Sequence, residues 1–299
     1  MKITFSLQND NCISTPNNKV SFGAGLTPQI LNEIHQTDVM KISNRLAKQG
    51  ILTDFQANKV IAWCCDKAVG IFEQLNKDFG MHLALPERIY VEDFEKLNIE
   101  KNSLAGFCNL ARNGLKKNSN EIFPAKTLFF NTFETIAQMT DPNIKWIYNW
   151  ENIDQIADIN YFIGHSSTDY FLSTFIQELS HNAHLDRASK KIGGDALAEK
   201  IRLFSDEQRL KEYQQKYGRK LSQICNYALK NPLEAVASDM SRIILDSLNK
   251  ETLMLTRNPF IGTPYEKLSF WQRINIPNYL DEERPLNEIL RQFWNGKFD

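Results

Sequence analysis

The sequence predicts an α+β protein: a helix-rich domain with a small mixed sheet, preceded by a helical hairpin. Three observations lead there. Apolar residues recur at helical spacing in two stretches near the N-terminus and again from about Thr168 onward. Between them lie short runs rich in β-branched and aromatic residues, bounded by Pro, Gly or Asn. The order, helices then a few strands then helices, differs from the alternation that builds a repeating βαβ sheet.

Taken in order, residues 1–26 are rich in Asn, Ser, Gly and Pro and carry little periodicity, which predicts a flexible tail. Residues 27–82 predict the hairpin. Its first helix runs from Pro28 to about Lys48 and carries Ile30, Leu31, Ile34, Met40, Ile42 and Leu46. Its second runs from Asp54 to about Phe79, with Thr53 or Asp54 as N-cap and Gly80 as the stop. Within residues 83–250, the runs Arg88–Glu92, Leu104–Leu110 and Lys126–Asn131 predict strands, and helices follow. Ser205-Asp206-Glu207-Gln208 reads as a capping box opening one of them. Residues 251–299 form a C-terminal extension with a terminal helix over Pro285–Trp294.

Composition bounds the function. The chain has 299 residues, 42% hydrophobic and 24% charged, which is ample for a buried core. Thirty-five Lys and Arg against thirty-six Asp and Glu leave a formal charge of -1, so no net field draws it to nucleic acid or to an anionic membrane. No apolar stretch is long enough for a membrane span, and the N-terminus turns polar too early for a signal peptide. Five cysteines without a Cys-x-x-Cys pair suit a reducing compartment, so cytoplasmic residence is expected.

One stretch carries chemistry: Ser173-Thr174-Phe175-Ile176-Gln177-Glu178-Leu179-Ser180-His181-Asn182-Ala183-His184. Wound as a helix at about 100° per residue, it sets Leu172, Phe175, Ile176, Leu179 and Ala183 on one side. Gln177, His181 and His184 fall opposite, within an arc of about 60°, with Glu178 one step away. An amide, two imidazoles and a carboxylate backed by an apolar face are how a helix presents metal ligands and a base.

Gln177-Glu178-Leu179-Ser180-His181 resembles the His-Glu-x-x-His helix of zincin metallopeptidases, with Gln in place of the first His. A second landmark, Tyr227 to Asp239, holds Tyr227 seven residues before Glu234, with Asn231-Pro232 just ahead of the Glu. This is similar to the anthrax-lethal-factor-like branch of the gluzincins. The resemblance spans roughly residues 85 to 250. It implies a zincin-like domain, zinc ligation by His181 and Glu234, Glu178 as general base on a metal-bound water, and Tyr227 as donor to the oxyanion. Gln177 departs from the pattern, because a carboxamide oxygen is a poorer zinc donor than imidazole. The implied protein is therefore catalytically impaired or inactive, keeping a cleft that binds a peptide or protein partner by strand addition. The alternative is an active zinc hydrolase that tolerates Gln177 or recruits His184 or His165. A further alternative is a non-enzymatic interaction protein.

Each residue also has a plainer reading. Glu234 can be the third residue of a capping box whose N-cap is Asn231. Tyr227 can be a core aromatic, His181 and His184 surface histidines, and Glu178 a solvated charge.

Overall fold

The computed structural model describes residues 27–94, 105–108, 116–118, 121–122, 126–132, 135–138, 145–148, 150, 153–162, 164–168, 170–222, 224–248 and 284–298. The tail expected over 1–26 and the stretch 251–283 of the C-terminal extension lie outside them.

The chain is α+β, as its periodicities predict. The first expected helix is two: α1 (Pro28–His35) and α2 (Val39–Ala47). The break falls where Asp38 turns extended and accepts from the Lys41 N–H, capping α2. The second expected helix starts late. Leu52–Asp54 is a strand, β1, and Asn58 rather than Thr53 or Asp54 caps α3 (Lys59–Phe79) by accepting from the Ile61 N–H. Gly80 ends α3 in the left-handed conformation at φ 60°, the stop that the sequence announces.

The central sheet has the order β1-β2-β6-β3. Here β2 is Arg88–Glu92, β3 is Ala105–Cys108 and β6 is Thr127–Asn131. The first three run parallel and β3 closes the edge antiparallel to β6. Thus β1 ties the N-terminal helices into the same sheet through one βαβ step. Strand β6 is buried along its whole length, whereas β2 buries alternate residues. Two antiparallel ribbons were not foreseen: β4 (Lys116–Asn118) with β5 (Glu121–Ile122), and β7 (Thr135–Gln138) with β8 (Lys145–Tyr148).

Helices follow: α4 (Ile153–Phe162), α5 (Ser173–Ile192), α6 (Gly194–Leu203), α7 (Glu207–Leu221), a 3-10 turn (Asn226–Leu229), α8 (Pro232–Leu248) and α9 (Arg284–Trp294). Asp206, not Ser205, caps α7, accepting from the Gln208 and Arg209 N–H groups. Among the described residues no helix is long and apolar enough to cross a membrane.

Helix α5 is the wall between two cores. On one side Phe175, Ile176, Leu179 and Ala183 join α3 and the sheet, where Phe175 stacks on Phe130 at 4.8 Å. On the other, Leu185 and Ala188 meet Leu197, Tyr213, Leu221, Ala235, Leu290 and Phe293 from α6 to α9. A helix apolar on one side only would leave its polar stripe in water. Here Gln177, His181, Asn182 and His184 are all buried.

Candidate functional site

Two segments converge on the buried stripe. Helix α8 lies along α5, its small residues Ala235, Ser238 and Ser241 fully buried between them. Ser241 donates to the Ser173 carbonyl at 3.2 Å, and Ser167 to the Ser238 carbonyl at 2.7 Å, fixing the register of α8 against α5 and its approach loop. Asn231 Oδ1 accepts from the Glu234 N–H at 3.0 Å, so the expected N-cap forms. The Glu234 carboxylate leaves the cap and turns to α5. The cap and the cross-helix contact both hold.

Glu234 Oε2 lies 3.1 Å from His181 Nε2 and receives a longer contact, 3.5 Å, from Gln177 Nε2. Burial by itself drives the His181 imidazole toward neutrality, but the Glu234 carboxylate, with Glu178 beside it, outweighs burial and holds its pKa above the ordinary value. Glu234 mirrors this. Burial favours its protonated form, yet His181, its hydrogen bond and Lys230 hold its pKa below the usual carboxylate range. The two form a buried, mutually neutralised pair. Glu178 is the opposite case. Burial, aided by Glu234, pushes its carboxyl up to about 7 against the pull of His181 and Lys230. Neither His181 nor Glu178 is the surface group that base rates favour.

The rim comes from the turn before α8. The Tyr227 N–H donates to the Gly164 carbonyl at 2.9 Å. Gly164 has φ +75°, and a Cβ there would come within 2.6 Å of Asn226, so glycine is what lets the loop dock on this turn. Docking sets the His165 ring 5.5 Å from the Tyr227 ring. Lys230 Nζ donates to Tyr227 Oη at 3.0 Å and lies 4.6 Å from its ring centre. Lys230 escapes a sequence reading because a lone lysine usually signals solvent. Its position in the turn between Tyr227 and Glu234 is the only cue.

His184 does not join the group, although it shares the stripe. It is completely buried, and its Nε2 lies 2.8 Å from the Phe293 carbonyl at the end of α9. Trp294 stacks on it at 5.7 Å, and its Nδ1 has no hydrogen-bond partner among the described residues. Burial pulls its pKa down to about 4, keeping it neutral. Three residues along a helix advance about 300°, and that offset, with α9 across the way, sends His184 into the second core.

A catalytic zinc needs three protein ligands and an open position. The group here offers one imidazole, one carboxylate and one carboxamide. Imidazole and carboxylate close on each other. An ionised carboxylate only accepts, so Gln177 turns its NH2, not its metal-binding oxygen, toward Glu234. Of the replacement candidates, His184 is engaged on α9, and His165 lies with its ring against Tyr227. Among the described residues no three His, Cys, Asp or Glu side chains form a group able to hold a metal ion. These residues do not fit a resident catalytic zinc.

Comparison with family models, with curated proteins and with solved structures gives no match to this chain.

Proposed function

We propose that this chain is a zincin-like protein without metallopeptidase catalysis, whose former metal site has become a self-satisfied polar cluster beside a peptide-binding edge. The observation that carries the reading is the meeting of His181 Nε2 and Gln177 Nε2 on the same Glu234 oxygen, from helices whose key residues lie more than fifty positions apart. Residues assembled by chance at that separation have no reason to converge in a buried place, since an unpaired charge there is expensive. The Gln177 amide supplies a donor where a metal-binding imidazole would supply a lone pair. With no metal, Glu178 has no bound water to deprotonate, and its raised pKa of about 7 leaves it about half protonated near neutral pH.

The peptide-binding part is supported by the sheet. Among the described residues β3 is its last strand, antiparallel to β6, and it packs against α5. An extended partner adds to such an edge through main-chain hydrogen bonds alone.

The test restores the missing imidazole. Wild type and Gln177→His are purified without chelator and their zinc content measured. The reading expects close to one zinc per chain in Gln177→His and almost none in wild type, which also leaves an unfolded protein substrate uncut. A folded Gln177→His that takes up no zinc would remove the zincin-like reading. Stoichiometric zinc in wild type would remove its metal-free part.

A further inference from the structure

We infer that the second core opens on a binding pocket for a small aromatic monocarboxylate, one ring bearing one carboxylate on a short arm. Between α6, α7 and the C-terminal segment lies a cavity of about 270 Å³. Its walls are Phe204, Tyr213, Tyr217, Phe293 and Phe298. A cavity of about 150 Å³ is enough to hold benzene, so this one takes a ring and a substituent of a few atoms. No residue of the His181–Glu234 cluster is among its described lining, so the pocket stands whether or not that cluster is metal-free.

The walls are set before a ligand arrives, which lowers the ordering cost of binding. Phe204 ends α6, and Tyr213 and Tyr217 stand one turn apart on α7. Tyr213 is buried and donates its hydroxyl to the Ala228 carbonyl at 3.2 Å, and Phe293 and Phe298 are buried too. The rings meet edge to face, Phe204 on Tyr213 at 6.0 Å and Tyr217 on Phe293 at 6.1 Å. Phe204 and Tyr217 are only half-buried. A ligand ring extends that edge-and-face pattern, and aromatic pairs gain more than the area they bury.

The charge comes from Arg209, Glu212 and Lys216, which also line the cavity and are exposed. Lys216 Nζ lies 5.0 Å from the Tyr217 ring centre and bonds its hydroxyl, and Glu212 accepts from Gln208 Nε2 at 3.2 Å. Arg209 stands one turn before Tyr213, on the same face of α7. Its backbone N–H bonds Asp206 at the N-cap, and among the described residues its guanidinium has no ion-pair partner. Two cations against one carboxylate leave this rim with one positive charge. A guanidinium fork takes both oxygens of a carboxylate, whereas a carboxamide of the same shape brings no charge.

The experiment titrates the full chain with phenylacetate, its uncharged isostere phenylacetamide, and cyclohexylacetate, followed by calorimetry and NMR. Phenylacetate is expected to bind saturably, phenylacetamide at least fivefold more weakly and cyclohexylacetate at least twofold more weakly. Arg209→Met, at an exposed position, should bring phenylacetate down to the affinity of the amide and leave the amide unchanged. Phe204→Ala, folded by circular dichroism, should weaken both at least fivefold. Should that variant not fold, nuclear Overhauser contacts from the probe ring to the Tyr217 and Phe298 rings of the wild type locate the ligand in its place. No saturable binding of phenylacetate, equal affinity for either of the other two probes, a preference for the acid that survives Arg209→Met, or probe contacts away from Tyr217 and Phe298 overturns the inference.

Discussion

Helix α5 carries two histidines three residues apart, both buried, and they have opposite chemistry. His181 faces two carboxylates and is held toward its charged form; His184 faces a backbone carbonyl and two aromatic rings and is held neutral. Burial acts on both in the same direction. The difference is what lies across from each: α8 brings Glu234 to one, and α9 brings Phe293 and Trp294 to the other. Depth alone leaves a buried imidazole neutral, as at His184, and a carboxylate from the partner helix reverses that at His181.

The contrast breaks most visibly at His184. Replacing it with Ala removes its ring stacking and leaves the Phe293 carbonyl without its donor, and should destabilise the fold by about 4 kcal/mol, read from the denaturant midpoint. Acid does part of the same work. The His184 pKa is near 4 in the fold and near 6.5 in the unfolded chain. The unfolded state therefore binds the proton first, and stability should fall by about 3 kcal/mol between pH 6.5 and 4 from this group. A His184→Leu variant, unable to titrate, should show a flatter profile over that range. If its profile matches the wild type, His184 is not the buried neutral group described.

On the other side of the comparison, Glu178 should weigh against stability as pH rises. Its carboxyl keeps its proton to about 7 in the fold but only to about 4.5 when unfolded, so the penalty builds between those values and is constant above them. Glu178→Gln should be more stable than wild type by about 2 kcal/mol at pH 8, with the difference gone by pH 4. The His181–Glu234 pair has the reverse signature. Its contribution is whole between the unfolded carboxylate and imidazole values. It fades above the raised pKa of His181 and below the depressed pKa of Glu234. The smallest effect belongs to Arg187, whose guanidinium covers the Trp294 ring at 5.3 Å and donates to Asn295 at 3.2 Å. Arg187→Ala should cost about 1 kcal/mol and loosen α9, seen as faster amide exchange in Phe293 and Trp294.

Much of this was legible beforehand, and the reasons differ by residue. The apolar back of α5 follows from helical periodicity, and Asn231-Pro232 announces the start of α8. Glu234 meeting His181 followed from a pattern of residue types in order, not from any local rule. The separation of His184 was illegible, because it depends on α9 arriving from more than a hundred residues downstream. Thr53 and Asp54 misled because a three-residue strand leaves no periodicity, and its pairing with β2 is settled only by tertiary contact. Lys230 was hidden for the same reason: its meaning comes from the Tyr227 ring beneath it.

The most direct measurement is the titration of the His181 ring by NMR, in the full chain, with and without one equivalent of zinc. The account predicts a single transition at a pH above that of an ordinary histidine, lowered in Glu234→Gln and unmoved by zinc. A His181 signal that shifts on adding zinc, with release of a proton, would contradict it, because the imidazole would then be a metal ligand rather than the partner of a carboxylate.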